Sequence, residues 1–116
     1  MRHHKKGRKL HRKKGQRQAL FKSLINNLVV YEKIETTEAK AKEIKPMVEK
    51  MITMAKKQNL PSLRIILSKL SKKPAQKLYY EIAPRYLERK GGYTRVIKGV
   101  KARKKDGSKM AIIEFV

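Results

Sequence analysis

From Leu20 to Val29 the apolar side chains Leu20, Phe21, Leu24, Ile25, Leu28 and Val29 recur at spacings of three and four. A strand cannot use that period, whereas a helix gathers all six side chains on one face. A core-facing helix over residues 17–31 is therefore the fixed point from which the rest of the chain is built. What precedes it cannot share that core. Residues 1–17 carry nine Lys or Arg, three His, no carboxylate and, after Met1, only Leu10 as a sizeable apolar side chain. A segment with so little to bury cannot offset the entropy of ordering itself. The chain thus divides into a basic tail, residues 1–16, and a single domain, residues 17–116, of ordinary domain size.

Beyond the first helix, EKIETT reads as one strand, and Thr36 or Thr37 caps a second helix with Glu38 in its positive first turn. Ala41, Ile44, Val48, Met51, Ile52 and Ala55 form its inner stripe. Pro46 lies inside that stripe and removes a backbone donor, at about 3 kcal/mol in a straight helix, so a bend is expected near residues 42–46. Asn59 and Pro61 open a third helix with Leu63, Ile66, Leu67 and Leu70 buried. Pro74 starts a fourth, carrying Leu78, Tyr79 and Ile82, which Pro84 ends or bends. After Gly91 and Gly92 the period changes to two. YTRVIK and MAIIEF form a hairpin across KKDGS, where Asp106 and Gly107 suit positive φ. The expected class is α+β, a two-layer fold in the order α-β-α-α-α-β-β with a small mixed sheet backed by helices.

The charge balance narrows the function. With 32 Lys and Arg against 9 Asp and Glu, the formal net charge is +23, whereas solubility needs a magnitude of only about 2 to 8. Such an excess is there to meet a polyanion. Nucleic acid is the first candidate, with a membrane surface and acidic proteins behind it. No apolar run approaches the length of a membrane span, and the first helix needs its apolar face for the core, so no membrane partner is expected. The Lys and His density of the first 31 residues, with a single Ser, argues against a cleaved transit peptide. The absence of cysteine fits a reducing compartment, so the cytoplasm is the expected location.

Catalytic chemistry finds no purchase. Asp106 is the only Asp and sits in a turn, while most of the eight Glu alternate with Lys at helical spacing, as Glu38 does with Lys42. No serine has a His in plausible reach, and the Gly91–Gly92 pair lacks the spacing of a phosphate loop. His3, His4 and His11 stand among cations that would repel a metal. Neither enzyme activity, cofactor, metal nor small-molecule substrate is expected.

Two basic regions remain. In the tail, Arg2, His3, His4, Lys5, Lys6, Arg8, Lys9, His11, Arg12, Lys13 and Lys14, continued by Arg17 and Lys22 on the first helix, can each meet phosphate or hydrogen-bond RNA. Near the other end stand Tyr93, Arg95, Lys98, Lys101, Arg103, Lys104, Lys105 and Lys109, with Asp106 the one acid among them. Arginines and an aromatic beside glycines suit irregular or single-stranded RNA, although Tyr93 could equally pack on the sheet. Basic regions at opposite ends of a chain favour a large, three-dimensional nucleic acid. An architectural, nucleoid-type DNA-binding protein is the alternative; it should show dimer arms, a wedge or a recognition helix, none of which is legible.

The run IETTEAKAKEIKPMVEKMITMAK carries a more specific signal. Ile34, Thr36, Thr37, Lys40, Ala41, Lys42, Glu49, Met51, Ile52, Thr53, Ala55 and Lys56 fill every fixed position of the signature of the bacterial-type large-subunit ribosomal protein seventeen family. The opening MRH, GRKL at 7–10, RQAL at 17–20 and GGYTR at 91–95 are similar to that family too. The tail is richer in Lys than is usual there. The resemblance implies a non-enzymatic constituent of the large ribosomal subunit that binds large-subunit rRNA near the exit-tunnel rim, touches neighbouring ribosomal proteins and has an α-β-α-α-α-β-β fold.

Overall fold

Thr37 sets the boundary between the sheet and the helix that buries the most side chains. In the computed structural model, which describes residues 7–116 (the Val100 side chain excepted), its hydroxyl accepts the Lys40 N–H at 3.4 Å and caps α2, Glu38–Ala55. Ala41, Ile44, Val48, Met51, Ile52 and Ala55 are all buried, as the stripe predicts. Pro46 does not break α2. It lies on the exposed side, where water can take the carbonyl that its missing N–H leaves free. Both halves of the helix keep their inner faces in the core.

The other elements assemble around α2 in the expected order. Helix α1 spans Lys14–Tyr31, three residues longer at its start than the apolar stripe requires. It buries Ile25, Leu28 and Val29, with Phe21 and Leu24 partly covered. Strand β1 is Lys33–Thr37, and α3 is Leu60–Lys69. The Asn59 side chain caps α3 by accepting the Ser62 N–H at 3.0 Å. Leu63, Ile66 and Leu70 of the expected inner face do turn inward, but Leu67 is 37% exposed. It sits about 100° around the helix from Ile66, beyond the narrow side that this short helix presents.

Helix α4, Lys72–Lys77, widens into a π turn over Leu78–Ile82 and then tightens into a 3-10 turn over Ala83–Tyr86. Pro84 supplies the reason, since it has no N–H for a continuing α-helical ladder. Leu78, Tyr79 and Ile82 nevertheless stay buried. Asn26 ties this region to α1: its amide donates to the Ser71 hydroxyl at 3.0 Å, and its carbonyl accepts the Ser71 N–H at 3.3 Å.

Strands β2, Thr94–Ala102, and β3, Lys109–Phe115, complete a three-stranded sheet in the order β1-β3-β2. The sheet is antiparallel throughout, which corrects the expected mixed sheet. β1 and β2 run in the same direction, but β3 inserts between them and opposes both, so no parallel pair forms. Ile34, Ile113 and Val96 stand in one cross-strand row against the helices. Between Lys98 and Ala102 the register slips, and a Cβ on Gly99 would lie 2.8 Å from the Met110 carbonyl oxygen. Glycine alone permits that approach. In the connecting loop Gly107 has φ 67°, whereas Asp106 stays out of the left-handed region. Its carboxylate instead accepts the Ser108 N–H at 3.1 Å and Arg103 Nη2 at 2.7 Å.

The junction between α1 and β1 is electrostatic. Glu32 has φ 62°, an uncommon conformation for a residue with a side chain. Its carboxylate receives the Arg85 guanidinium and stands 3.4 Å from Lys77 Nζ, while Lys77 also donates to the Val30 carbonyl at 2.8 Å. The Arg85 hydrogen bond, reinforced by Lys77, holds Glu32 below its ordinary value of 4.5. A lowered folded pKa stabilises the fold fully above the unfolded value, and that stabilisation is lost as pH falls through the folded value. Thermal melts between about pH 3 and 6 are expected to show Glu32→Gln less stable than the parent above about pH 4.5, with the gap closing on acidification. Because the side chain is 36% exposed, the gap should be at most about 1 kcal/mol after solvent screening. A gap that stays constant across this range overturns the assignment.

Candidate nucleic-acid interface

The described part of the tail is laid along the start of α2. Gly7 has φ 101°, and a Cβ there would press on Glu43 Oε1 at 3.2 Å. The next residue uses that approach. Arg8 donates its backbone N–H to Glu43 at 3.2 Å and its guanidinium to the Ala39 carbonyl at 3.0 Å. A tight turn follows, closed by the Arg12 N–H on the Lys9 carbonyl at 3.2 Å, with Leu10 and His11 both at φ 53°. Two successive left-handed residues are strained by roughly 1–2 kcal/mol each. The Arg12 guanidinium fastens the turn by donating to the Leu10 carbonyl at 2.8 Å, and Arg17 reaches back to the Arg12 carbonyl at 3.3 Å. Gly15 serves no such purpose, because it already lies in α1.

This placement brings the described part of the tail and the hairpin together. Arg8, His11 and Arg12 form one wall of an open groove, and Arg103, Ser108 and Lys109 of the hairpin form another. The first turns of α2, with Lys40 and Lys42, lie between them. A second depression adjoins it through Glu38 and Lys109 and adds Lys98, Lys101 and the backbone of Gly99. Among the described residues, Glu38 is the only carboxylate lining either one. It is engaged by Lys42 Nζ at 2.7 Å and approached by Lys98 at 3.9 Å. The Lys42 hydrogen bond, aided by Lys98 and Lys109, keeps it below 4.5 and hence ionised. One carboxylate cannot neutralise so many cations. The surface can therefore bind a polyanion through phosphate contacts and needs no apolar pocket for it.

Individual expectations fare differently. Arg2, His3, His4, Lys5 and Lys6 lie outside the described residues. Lys9, Lys13 and Lys14 are exposed, as are Lys104 and Lys105 near the hairpin tip. Arg103 lines the groove while bonded to Asp106, and Arg95 is paired with Glu114 at 2.7 Å. Lys22 projects elsewhere, into a separate groove between α1 and α2.

Tyr93 requires correction as a nucleic-acid contact. It is only 3% exposed, its ring lies 5.3 Å from that of Tyr86, and its hydroxyl receives Lys56 Nζ at 2.8 Å and donates to the Arg89 carbonyl at 3.2 Å. The Lys56 bond lowers its pKa. Tyr93 is a core anchor whose face no base can reach. The neighbouring Thr94 hydroxyl donates to Glu49 at 3.0 Å, so Glu49 and Lys56 of the signature run together hold the start of β2 on α2. Lys40 and Lys42 are the residues that the sequence reading passed over. A cation near the N-terminus of a helix opposes the macrodipole, and that unfavourable placement was the available signal.

Among the described residues no group of three His, Cys, Asp or Glu could hold a metal ion. No helix among them is long and apolar enough to cross a membrane. Comparison with known proteins gives one family. Residues 20–116 match the profile of the family described as Ribosomal protein L17. A protein of Pelobacter propionicus named large ribosomal subunit protein bL17 is 50% identical over 117 residues, covering 100% of this chain and 91% of its own length. Its namesake in Persephonella marina is 49% identical over 118 residues, covering 100% and 95%. One from Sulfurihydrogenibium is 48% identical over 117 residues, covering 100% and 97%.

Proposed function

The chain belongs to the ribosomal protein L17 family, whose members are structural and not catalytic, and from that premise we propose that it is a cytoplasmic constituent of the large ribosomal subunit held in place by large-subunit rRNA. One observation carries the mode of binding: Arg8, His11 and Arg12 from the tail and Arg103 and Lys109 from the hairpin line one groove with Lys40 and Lys42. A folded RNA can enter that groove with its sugar-phosphate backbone and be held from both ends of the chain. Residues 1–16 act as the RNA-binding tail and residues 17–116 as the domain that positions it. Lys98, Lys101, Lys104 and Lys105 extend the basic surface around the hairpin. The position near the exit-tunnel rim follows from the family resemblance, and neighbouring ribosomal proteins meet the helical faces.

Sedimentation of cell lysate tests this reading. The chain is expected to migrate with the large subunit and to remain there through moderate salt, because many phosphate contacts must be lost together. A free pool without RNA overturns it.

A further inference from the structure

Helices α1 and α2 border a second groove, capped by the end of α3, whose chemistry differs from that of the RNA groove. Phe21 of α1 and Met47 and Met54 of α2 line it and remain partly uncovered. Three exposed lysines rim it, one from each element: Lys22, Lys50 and Lys69. Among the described residues no Asp or Glu lines it. The carboxylates of α2 are engaged elsewhere, Glu38 by Lys42, Glu43 by Arg8 and Glu49 by Thr94.

We propose that this groove docks an amphipathic helix of a neighbouring protein in the large subunit, one whose apolar stripe is flanked by Asp or Glu. Both walls repeat at helical spacing, which leaves a slot of the kind a third helix fills. The methionine thioethers can adapt to the side chains of the incoming stripe. The lysines fix the partner's charge: standing on three different elements, they call for acids on both flanks of the stripe. A sugar-phosphate backbone gains nothing from Phe21, Met47 or Met54, and a stacked base would cover Phe21 alone, so nucleic acid would use the rim and leave the methionine wall uncovered. The inference rests on the chain's membership of the large subunit, but not on which surface holds rRNA.

The test places a benzophenone amino acid at Met54, and separately at the exposed Gln18 on the opposite wall, in cells where the modified chain is the sole copy. Purified large subunits are irradiated and the adducts mapped by mass spectrometry, with Leu60 as the exposed position outside the groove. At both groove positions the expected adduct is a helical segment with apolar residues at three- and four-residue spacing and acids beside them. Lys22→Glu with Lys50→Glu should lower its yield about tenfold, as two reversed rim pairs imply. An RNA adduct, an acid-free segment, no adduct in subunits that contain the chain, or a yield indifferent to charge reversal each overturns the proposal. Absence of the chain from the subunits instead overturns the proposed function.

Discussion

Leu28→Ala is expected to destabilise the isolated domain by about 3 to 5 kcal/mol, at the upper end of the range for leucine truncation. Leu28 is 0% exposed and belongs to the cluster in which α1 meets α2 and the sheet. Truncation therefore removes apolar contact and leaves a cavity that close-packed neighbours cannot readily fill. The loss is large relative to the whole, since a domain of this size has roughly 5 to 15 kcal/mol of stability and this one also carries the repulsion of its net charge. Urea unfolding should show a lower midpoint with an unchanged slope. Leu24→Ala is the internal comparison. The apolar spacing places Leu24 on the same stripe, but its side chain is only partly covered, so about 1 to 2 kcal/mol is expected. Equal costs at the two positions would mean that α1 is rotated from its observed orientation.

The contrast between those leucines marks what the sequence can convey. Spacing identifies the face of a helix, as it does for Ile25, Leu28 and Val29, because period and side-chain direction are local properties. How much of that face another element covers is not local, and Leu24 and Leu67 are left partly open at its margins. The order of elements was legible for the same reason, whereas the antiparallel sheet was not. Only the insertion of the C-terminal strand between β1 and β2 excludes a parallel pair, and no residue pattern announces that neighbour relation. The candidate site divides similarly. The two basic regions could be read directly from composition, but their meeting over Lys40 and Lys42 depends on tertiary placement. Tyr93 shows the converse error: beside Arg95 and two glycines it looks like a stacking platform, yet Lys56 and Tyr86 claim both its hydroxyl and its ring.

Neutralising the tail should change RNA binding far more than it changes the fold. Arg2, Lys5, Lys6, Arg8, Lys9, Arg12, Lys13 and Lys14 are replaced together by Gln, which keeps part of each aliphatic stem while removing eight charges. Substitution is preferable to deletion through residue 16, because α1 begins at Lys14 and the Lys13 N–H bonds the Gln16 side chain at 3.4 Å. Loss of the Arg8 guanidinium contact with the Ala39 carbonyl and of the Arg12 guanidinium contact with the Leu10 carbonyl should cost little, because the bond from Arg8 to Glu43 is made by the backbone N–H and stays, and relief of self-repulsion acts in the opposite direction. The melting temperature should therefore hardly fall. If about half of the eight charges touch phosphates, the slope of log affinity against log salt should become shallower by roughly 3 to 4 units, at ~0.7 to 0.9 per contact. Between 50 and 200 mM salt that change corresponds to about a hundredfold smaller loss of affinity, alongside weaker binding at the low-salt end. An unchanged slope with full affinity would assign binding to the hairpin alone and make the tail a solubilising extension. A large fall in melting temperature would instead make the tail part of the fold, with its strained turn at Leu10 and His11 contributing to the structure of the domain.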